Sequence, residues 1–272
     1  MLQTPLDLSS TLTLDTNHTT TESTQLVNHV TNMNLFGMSE NITFQQPLNS
    51  QSSPFIIKNM PYNMKHTVTS NSKESKMKRA ASTPVEIYTS IQNAFNYAEG
   101  FHYLIRYVQE KMNKEDLMRI SRALALFRPS FLALIMNLTE EDLLFMEKCI
   151  QRTLLEYEKL ISFSGTPTAV WRRTGEICLV GKEFSLLTNW RTEMLVDKKI
   201  YIYELMDSQS AVEYWEKFSK HAFDNTNRSC TFPCIIKTPQ QKPVPCTFCF
   251  TIKRDIFDLP SVIVGNFLPI LS

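Results

Sequence analysis

Cysteine is missing from the first 148 of the 272 residues, glycine occurs only six times, and 28 Lys and Arg against 27 Asp and Glu leave a net charge of +1. Each scarcity excludes something. Without thiolates, a cysteine-bound zinc cluster cannot form in the first half of the chain. So few glycines leave little material for a loop that cradles phosphate. A balanced charge announces neither a generic nucleic-acid binder nor a membrane-surface binder. No apolar run approaches the roughly 18 residues of a membrane-spanning helix; the nearest is Leu132 to Met136. The start, Met1-Leu2-Gln3-Thr4-Pro5, has neither the basic nor the apolar region of a secretory signal. These absences predict a soluble, intracellular chain without membrane partners. The Asn-x-Ser/Thr triplets at Asn17, Asn41, Asn137 and Asn227 then stay unglycosylated, and the six cysteines stay thiols.

Aromatic residues are thin at the start as well. Of 29, only Phe36, Phe44, Phe55 and Tyr62 fall within residues 1–80, a segment with 36 Ser, Thr, Asn or Gln. Such a segment cannot bury enough apolar surface to offset chain entropy, so a disordered tail is expected there. Its charge is asymmetric. Residues 1–57 carry four acids and no Lys or Arg, whereas 58–80 carry six bases and one acid. The cluster Lys73, Lys76, Lys78 and Arg79 reads either as a nuclear-import signal or as a solvated linker.

From Thr83-Pro84-Val85-Glu86 onward the signals change. Thr suits an N-cap, Pro suits N1, and Glu at N3 can bond back to the cap backbone. Tyr88, Ile91, Phe95, Ala98, Ile105, Val108 and Met112 then recur at helical spacing and predict one helix to residue 112, weakened only at Gly100. A second helix, with Leu117, Ile120, Leu124 and Phe127 on one stripe, should break at Pro129. A short apolar piece, Phe131 to Met136, follows. The third helix starts at Thr139 and runs to about Ser162, with Leu143, Met146, Ile150, Leu154, Tyr157 and Ile161 as its stripe. Beyond Pro167 the period becomes extended. Residues 168–173 and 176–180 form a predicted hairpin about Thr174-Gly175. Short helical pieces then lead to strand candidates at 229–238, 244–257 and 261–270. Two strands, a helical crossover and three strands make one sheet whose open face the crossover helices should cover.

That order, together with Trp171-Arg172-Arg173-Thr174-Gly175-Glu176, Phe184-Ser185-Leu186-Leu187-Thr188 and Glu193-Met194-Leu195, resembles a PAS domain. A more specific resemblance rests on Phe127-Arg128-Pro129-Ser130-Phe131, Leu138-Thr139-Glu140-Glu141-Asp142-Leu143, Phe163-Ser164-Gly165-Thr166-Pro167-Thr168, Tyr203-Glu204-Leu205-Met206-Asp207 and the run Pro245 to Ile252. Over about residues 84–272 the chain is similar to the fungal zinc-cluster transcription activators of gluconeogenesis. The resemblance implies a nuclear regulator of non-fermentable carbon use, acting in pairs. It also implies DNA binding through an N-terminal six-cysteine zinc cluster, which this chain cannot build. The chain is therefore expected to be either a fragment or a truncated relative, and no zinc or DNA ligand can be assigned to any of its residues.

The remaining chemistry signals are weak. Cys230-x3-Cys234 with Cys246-x2-Cys249 supplies four thiolates, but strand alternation sends Cys246 and Cys249 to opposite faces, so buried strand thiols are the expectation. The stretch Gly175 to Glu183 misses the phosphate-loop spacing and its Ser/Thr. His221, beside Lys220, reads as a surface residue rather than a haem ligand. No catalytic constellation is suggested.

The sequence thus predicts an α+β protein without a cofactor of its own: a tail (1–80), a helical region (81–137), and a leading helix plus PAS-like domain, an antiparallel sheet covered by helices (138–272). The leading helix carries a second apolar flank, Leu144, Leu155 and Leu160 with Phe145 and Cys149 nearby, wider than one packing surface needs. Two partners are therefore expected for this helix. One is the PAS sheet. The other is either a second chain, which makes the primary stripe the candidate association site for a homo- or heterodimer, or the helices of residues 84–112 and 115–127 in the same chain. A PAS core without an assignable cofactor serves protein contact or binds an apolar metabolite as a sensor or enzyme, and both readings stand at this level.

Overall fold

Thr83 caps the first helix as its sequence requires. Its side chain accepts from the Glu86 N–H, the Glu86 carboxylate accepts from the Thr83 N–H, and α1 runs over Pro84–Ser90. The computed structural model describes residues 83–224, 226 and 229–270; the tail 1–80, with Lys73, Lys76, Lys78 and Arg79, lies outside the described residues. The expected single helix to residue 112 is two. Residues 91–96 leave the helix, and Asn96 caps α2 (Tyr97–Lys111) by accepting from the N–H groups of Ala98 and Glu99. Asparagine offers the backbone a local alternative to the helix, and here that alternative wins. Gly100, the apparent weak point of α2, is a contact: a Cβ there would lie 2.8 Å from Thr174 in the hairpin turn.

The predicted break at Pro129 does not occur, because α3 runs through it from Lys114 to Ile135. Ala125, Leu126 and Pro129 are all exposed, so the carbonyl that proline leaves without a donor faces solvent and can be hydrated. The chain turns by 115° before α4, Glu140–Phe163. Thr139 and Asp142 form a capping box at its start. Among the described residues no single helix is long and apolar enough to cross a membrane.

The hairpin forms where predicted, from β1 (Thr168–Arg172) and β2 (Ile177–Val180), with Gly175 at φ 92° supplying the left-handed turn. The crossover contains α5 (Lys182–Thr188), α6 (Thr192–Val196), α7 (Ile202–Leu205) and α8 (Ser208–His221). Then come β3 (Ser229–Lys237), β4 (Pro243–Arg254) and β5 (Pro260–Pro269). All pairings are antiparallel, in the order β2-β1-β5-β4-β3. The fold class is the expected α+β arrangement of helices on an antiparallel sheet.

Two layers cover the sheet. On its inner face Trp171, Phe248, Phe250 and Phe267 meet Tyr214, Trp215 and Phe218 of α8, all at most 1% exposed. Trp171 lies so close over β5 that a Cβ on Gly265 would fall 2.2 Å from its ring. On the outer face Val170 and Val262 pack with Ile150, Leu154 and Ile161 of α4. β1 is consequently buried at every position, whereas β3 and β4 alternate buried and exposed. Phe101, Leu104, Val108, Ile120, Phe127 and Phe131 of α2 and α3 share one apolar cluster with the inner face of the sheet. Arg119 of α3 forks onto Glu216 of α8 at 2.8 and 2.9 Å.

Candidate functional site

The six residues expected to form an association stripe lie on the inward side of α4. Met146, Ile150, Leu154 and Ile161 are buried, and Leu143 and Tyr157 are half-buried against the same two apolar clusters. This corrects the expectation. The sheet and the neighbouring helices of the same chain take up the primary stripe, so it is not a surface open to a second chain. At 100° per residue, Phe145, Arg152, Glu156, Leu160 and Phe163 share the opposite side of the helix. Phe145, Leu160 and Phe163 are 44%, 63% and 90% exposed.

The centre of the helix–sheet contact is polar. Arg172 at the end of β1 projects from the outer face beneath α4, where the Glu147 carboxylate accepts from Nη1 at 2.8 Å and from Nη2 at 2.7 Å. Both side chains are over 90% buried. Gln151 donates to the same carboxylate at 2.8 Å, the Tyr97 hydroxyl accepts from Arg172 at 3.1 Å, and the Phe95 ring lies 3.9 Å from the guanidinium. Burial alone would lower the pKa of Arg172; Tyr97 and Glu147 more than offset it, and the net direction is upward.

Arg173 occupies the adjoining turn and is even more enclosed, at 1% exposure. Its Nη1 donates to the Pro260 carbonyl at 3.1 Å, and its guanidinium sits 3.6 Å from the Tyr97 ring and 4.9 Å from the Phe131 ring. Nε and Nη2 have no hydrogen-bond partner, nor does Oδ2 of nearby Asp255. The other Asp255 oxygen accepts from the N–H groups of Phe257 and Leu259. Burial lowers the Arg173 pKa and raises that of Asp255. In the sequence both arginines read only as part of a hairpin signature. The signal that could have found them is Glu147, a carboxylate between Met146 and Ile150 on the apolar arc of α4, which demands a cation.

Comparison with known proteins covers the hairpin, the crossover helices and the three later strands. The ERT1/acuK family PAS domain model matches residues 166–243 and 234–269.

Residues 166–269 are an ERT1/acuK family PAS domain.

The similarity extends beyond that domain into the helical layer. "Transcription activator of gluconeogenesis ERT1" of Postia placenta is 55% identical over 185 residues, which is 68% of this chain and 47% of the relative. The Mycosarcoma maydis protein of the same name is 60% identical over 178 residues, 65% of this chain and 24% of the relative. That of Coprinopsis cinerea is 53% identical over 194 residues, 71% and 36% respectively. The chain thus matches between about a quarter and a half of these relatives' length.

Within the PAS domain, the space between sheet and crossover helices holds the chain's own rings. Phe248 stacks on Phe267 at 4.5 Å, Trp171 lies 6.0 Å from both Tyr214 and Phe248, and the Trp171 Nε1–H donates to the Tyr214 hydroxyl at 2.7 Å. The cysteines show the predicted alternation. Cys234 and Cys246 are paired in register and buried with the inner-face cluster, while Cys249 lies on the other face. Among the described residues, no group of three His, Cys, Asp or Glu has metal-binding geometry. His221, expected at the surface, is half-buried, with Nδ1 3.9 Å from the Asp224 carboxylate. Of the Gly175-to-Glu183 stretch, residues 175–180 complete the hairpin, where the Arg172 N–H donates to the Glu176 carbonyl at 2.9 Å, and Lys182 and Glu183 open α5.

Proposed function

We propose that this chain is the regulatory portion of a nuclear transcription activator of gluconeogenesis, and that its PAS domain docks a protein partner rather than catalysing a reaction. The observation that carries this reading is the 55% identity to a relative of that name over 185 residues, spanning helices and PAS domain together. The ring-filled interior favours docking over sensing a metabolite inside the PAS fold. A nuclear location draws support from the relatives' role and from Lys73, Lys76, Lys78 and Arg79. Contact with DNA is assigned to a six-cysteine zinc cluster, for which residues 1–148 hold no cysteine.

The chain is read as needing no cofactor of its own. Burial pushes the Cys246 thiol up to about 11 and Cys234 up to about 12, away from the thiolate a metal requires. Pairing with a second copy or a related chain is assigned to the outward edge of α4 through Phe145, Leu160 and Phe163. The test joins this chain to a heterologous DNA-binding domain in a fungal cell carrying a reporter. Activation on a non-fermentable carbon source, lost with Leu160→Glu/Phe163→Glu while the protein level is kept, supports the reading. A silent fusion, or one equally active in the double variant, refutes regulation or docking respectively.

A further inference from the structure

The α1–α2 linker roofs a cavity of about 240 Å³ between α3, α4 and the hairpin turn, outside the PAS interior. Native interiors hold few voids much larger than a water molecule, so a space of this size between packed elements needs a reason. Its roof is residues 91–96, which belong to no helix or strand and place Ala94 and Phe95 in the lining. Lifting that linker opens a way in while α3, α4 and the hairpin stay in place. Five polar residues also line the space, and none offers it a charge. Asn96 and Tyr97 are neutral, and Glu147 is forked onto Arg172. Arg173 donates to the Pro260 carbonyl through Nη1, while its Nε and Nη2 atoms are enclosed by protein and out of reach from the cavity. Asp255 likewise has Oδ2 enclosed and its other oxygen on the N–H groups of Phe257 and Leu259. What the cavity presents is chiefly carbon, from Phe95, Phe131, Ile135, Leu143, Met146 and Ile150. An ion entering it would lose its hydration and gain no partner.

We propose that this cavity is a binding site for a small uncharged apolar molecule, about the size of one ring with a short substituent. The size follows from two bounds. A cavity of about 150 Å³ lined by Leu, Ile and Phe stays dry and takes up benzene, and drug-sized ligands occupy roughly 300–1,000 Å³. This cavity lies between them. Phe95 of the roof sits 3.9 Å from the Arg172 guanidinium, so an occupant fixes the linker against the Arg172–Glu147 pair and steadies the join between the helical layer and the PAS hairpin. The site is separate from the outward edge of α4 assigned to docking, and it stands whether or not that edge pairs.

The test is calorimetric titration of the full chain with toluene, and with benzoate and benzylamine as charged molecules built on the same ring. The Met146 methyl resonance is followed in parallel, because that side chain lines the cavity. Toluene should saturate at one per chain and shift the Met146 signal, and both ions should bind at least about a hundredfold more weakly, since neither finds a counter-charge. Ala94→Leu fills part of the space from the linker and should abolish toluene binding while the urea midpoint is kept. If that variant does not fold, the comparison of toluene with the two ions and the Met146 signal on the unaltered chain decide the matter. Failure of benzene, toluene and cyclohexane all to saturate, equal affinity for benzoate or benzylamine, a Met146 signal unmoved at saturation, or a folded Ala94→Leu chain that binds as before would each overturn the proposal.

Discussion

Arg172 and Arg173 are adjacent in sequence and opposite in circumstance: one is forked onto a carboxylate, while the other has rings on its faces and two donors without partners. For the paired one, removing either partner strands a charge. Glu147→Leu or Arg172→Met alone should cost about 3–5 kcal/mol in urea denaturation, and the double variant Glu147→Leu/Arg172→Met should recover most of that. If the double variant is no better than the single ones, the pair is not the reason for the loss. Acid stability reflects two sets of carboxyls. Hydrogen bonds from Thr139 depress the pKa of Asp142, and the Arg119 hydrogen bond depresses that of Glu216. Their contribution is present above the unfolded values near 4 and is lost as pH falls through the lower folded values. Burial raises Glu176, Glu204 and Asp255. Their sign is reversed: their contribution is full below the unfolded pKa and lost as pH rises through the folded one. Stability should therefore grow as pH falls toward the unfolded carboxyl values near 4 and decline below them. Glu176→Gln should flatten the upper limb of urea midpoints plotted against pH; an unchanged slope would remove Glu176 from this account.

At the scale of the element, α4 has an inner side held by the sheet and an outer side in solvent. Met146→Glu or Ile150→Glu should unfold the chain, because a charge placed in that core has no partner. Leu160→Glu and Phe163→Glu should change the melting free energy by no more than about 0.5 kcal/mol, and sedimentation of these variants reads association separately from folding. A destabilised Leu160→Glu protein would mean that the outer side is also packed. The same elements show what a sequence reveals. The hairpin, the three later strands and the α4 cap are legible because turn chemistry, alternation and capping are local. The break at residues 91–96 is hidden, since the helical spacing of Ile91 and Phe95 continues across it while their side chains serve other contacts. Pro129 misleads for the converse reason: it stands on the exposed side of α3, where the carbonyl it frees can be hydrated and the helix continues. Glu147 on the apolar arc of α4 signals that a cation must meet it, but which arginine does so is not legible, because nothing local tells which face of β1 a distant helix will cover.

At the scale of the whole molecule, the PAS domain is not independent of the helices that precede it. Phe101, Phe127 and Phe131 share its core, and α4 covers its outer face. A fragment beginning at residue 166 should melt well below the full chain and bind a hydrophobic dye, whereas chelator should leave the melting of the full chain unchanged. Equal melting temperatures for fragment and full chain would make the helical layer an accessory. The strand order has a further consequence, for synthesis. β5 is made after the other four strands, yet it lies between β1 and β4 and joins the two hairpins of the sheet. While the ribosome is still translating residues 260–269, the finished halves have no shared ladder, and each presents a bare edge that stays open to wrong partners. The sheet closes in one late step, so holding the chain in a non-aggregating state matters most until those ten residues have left the ribosome.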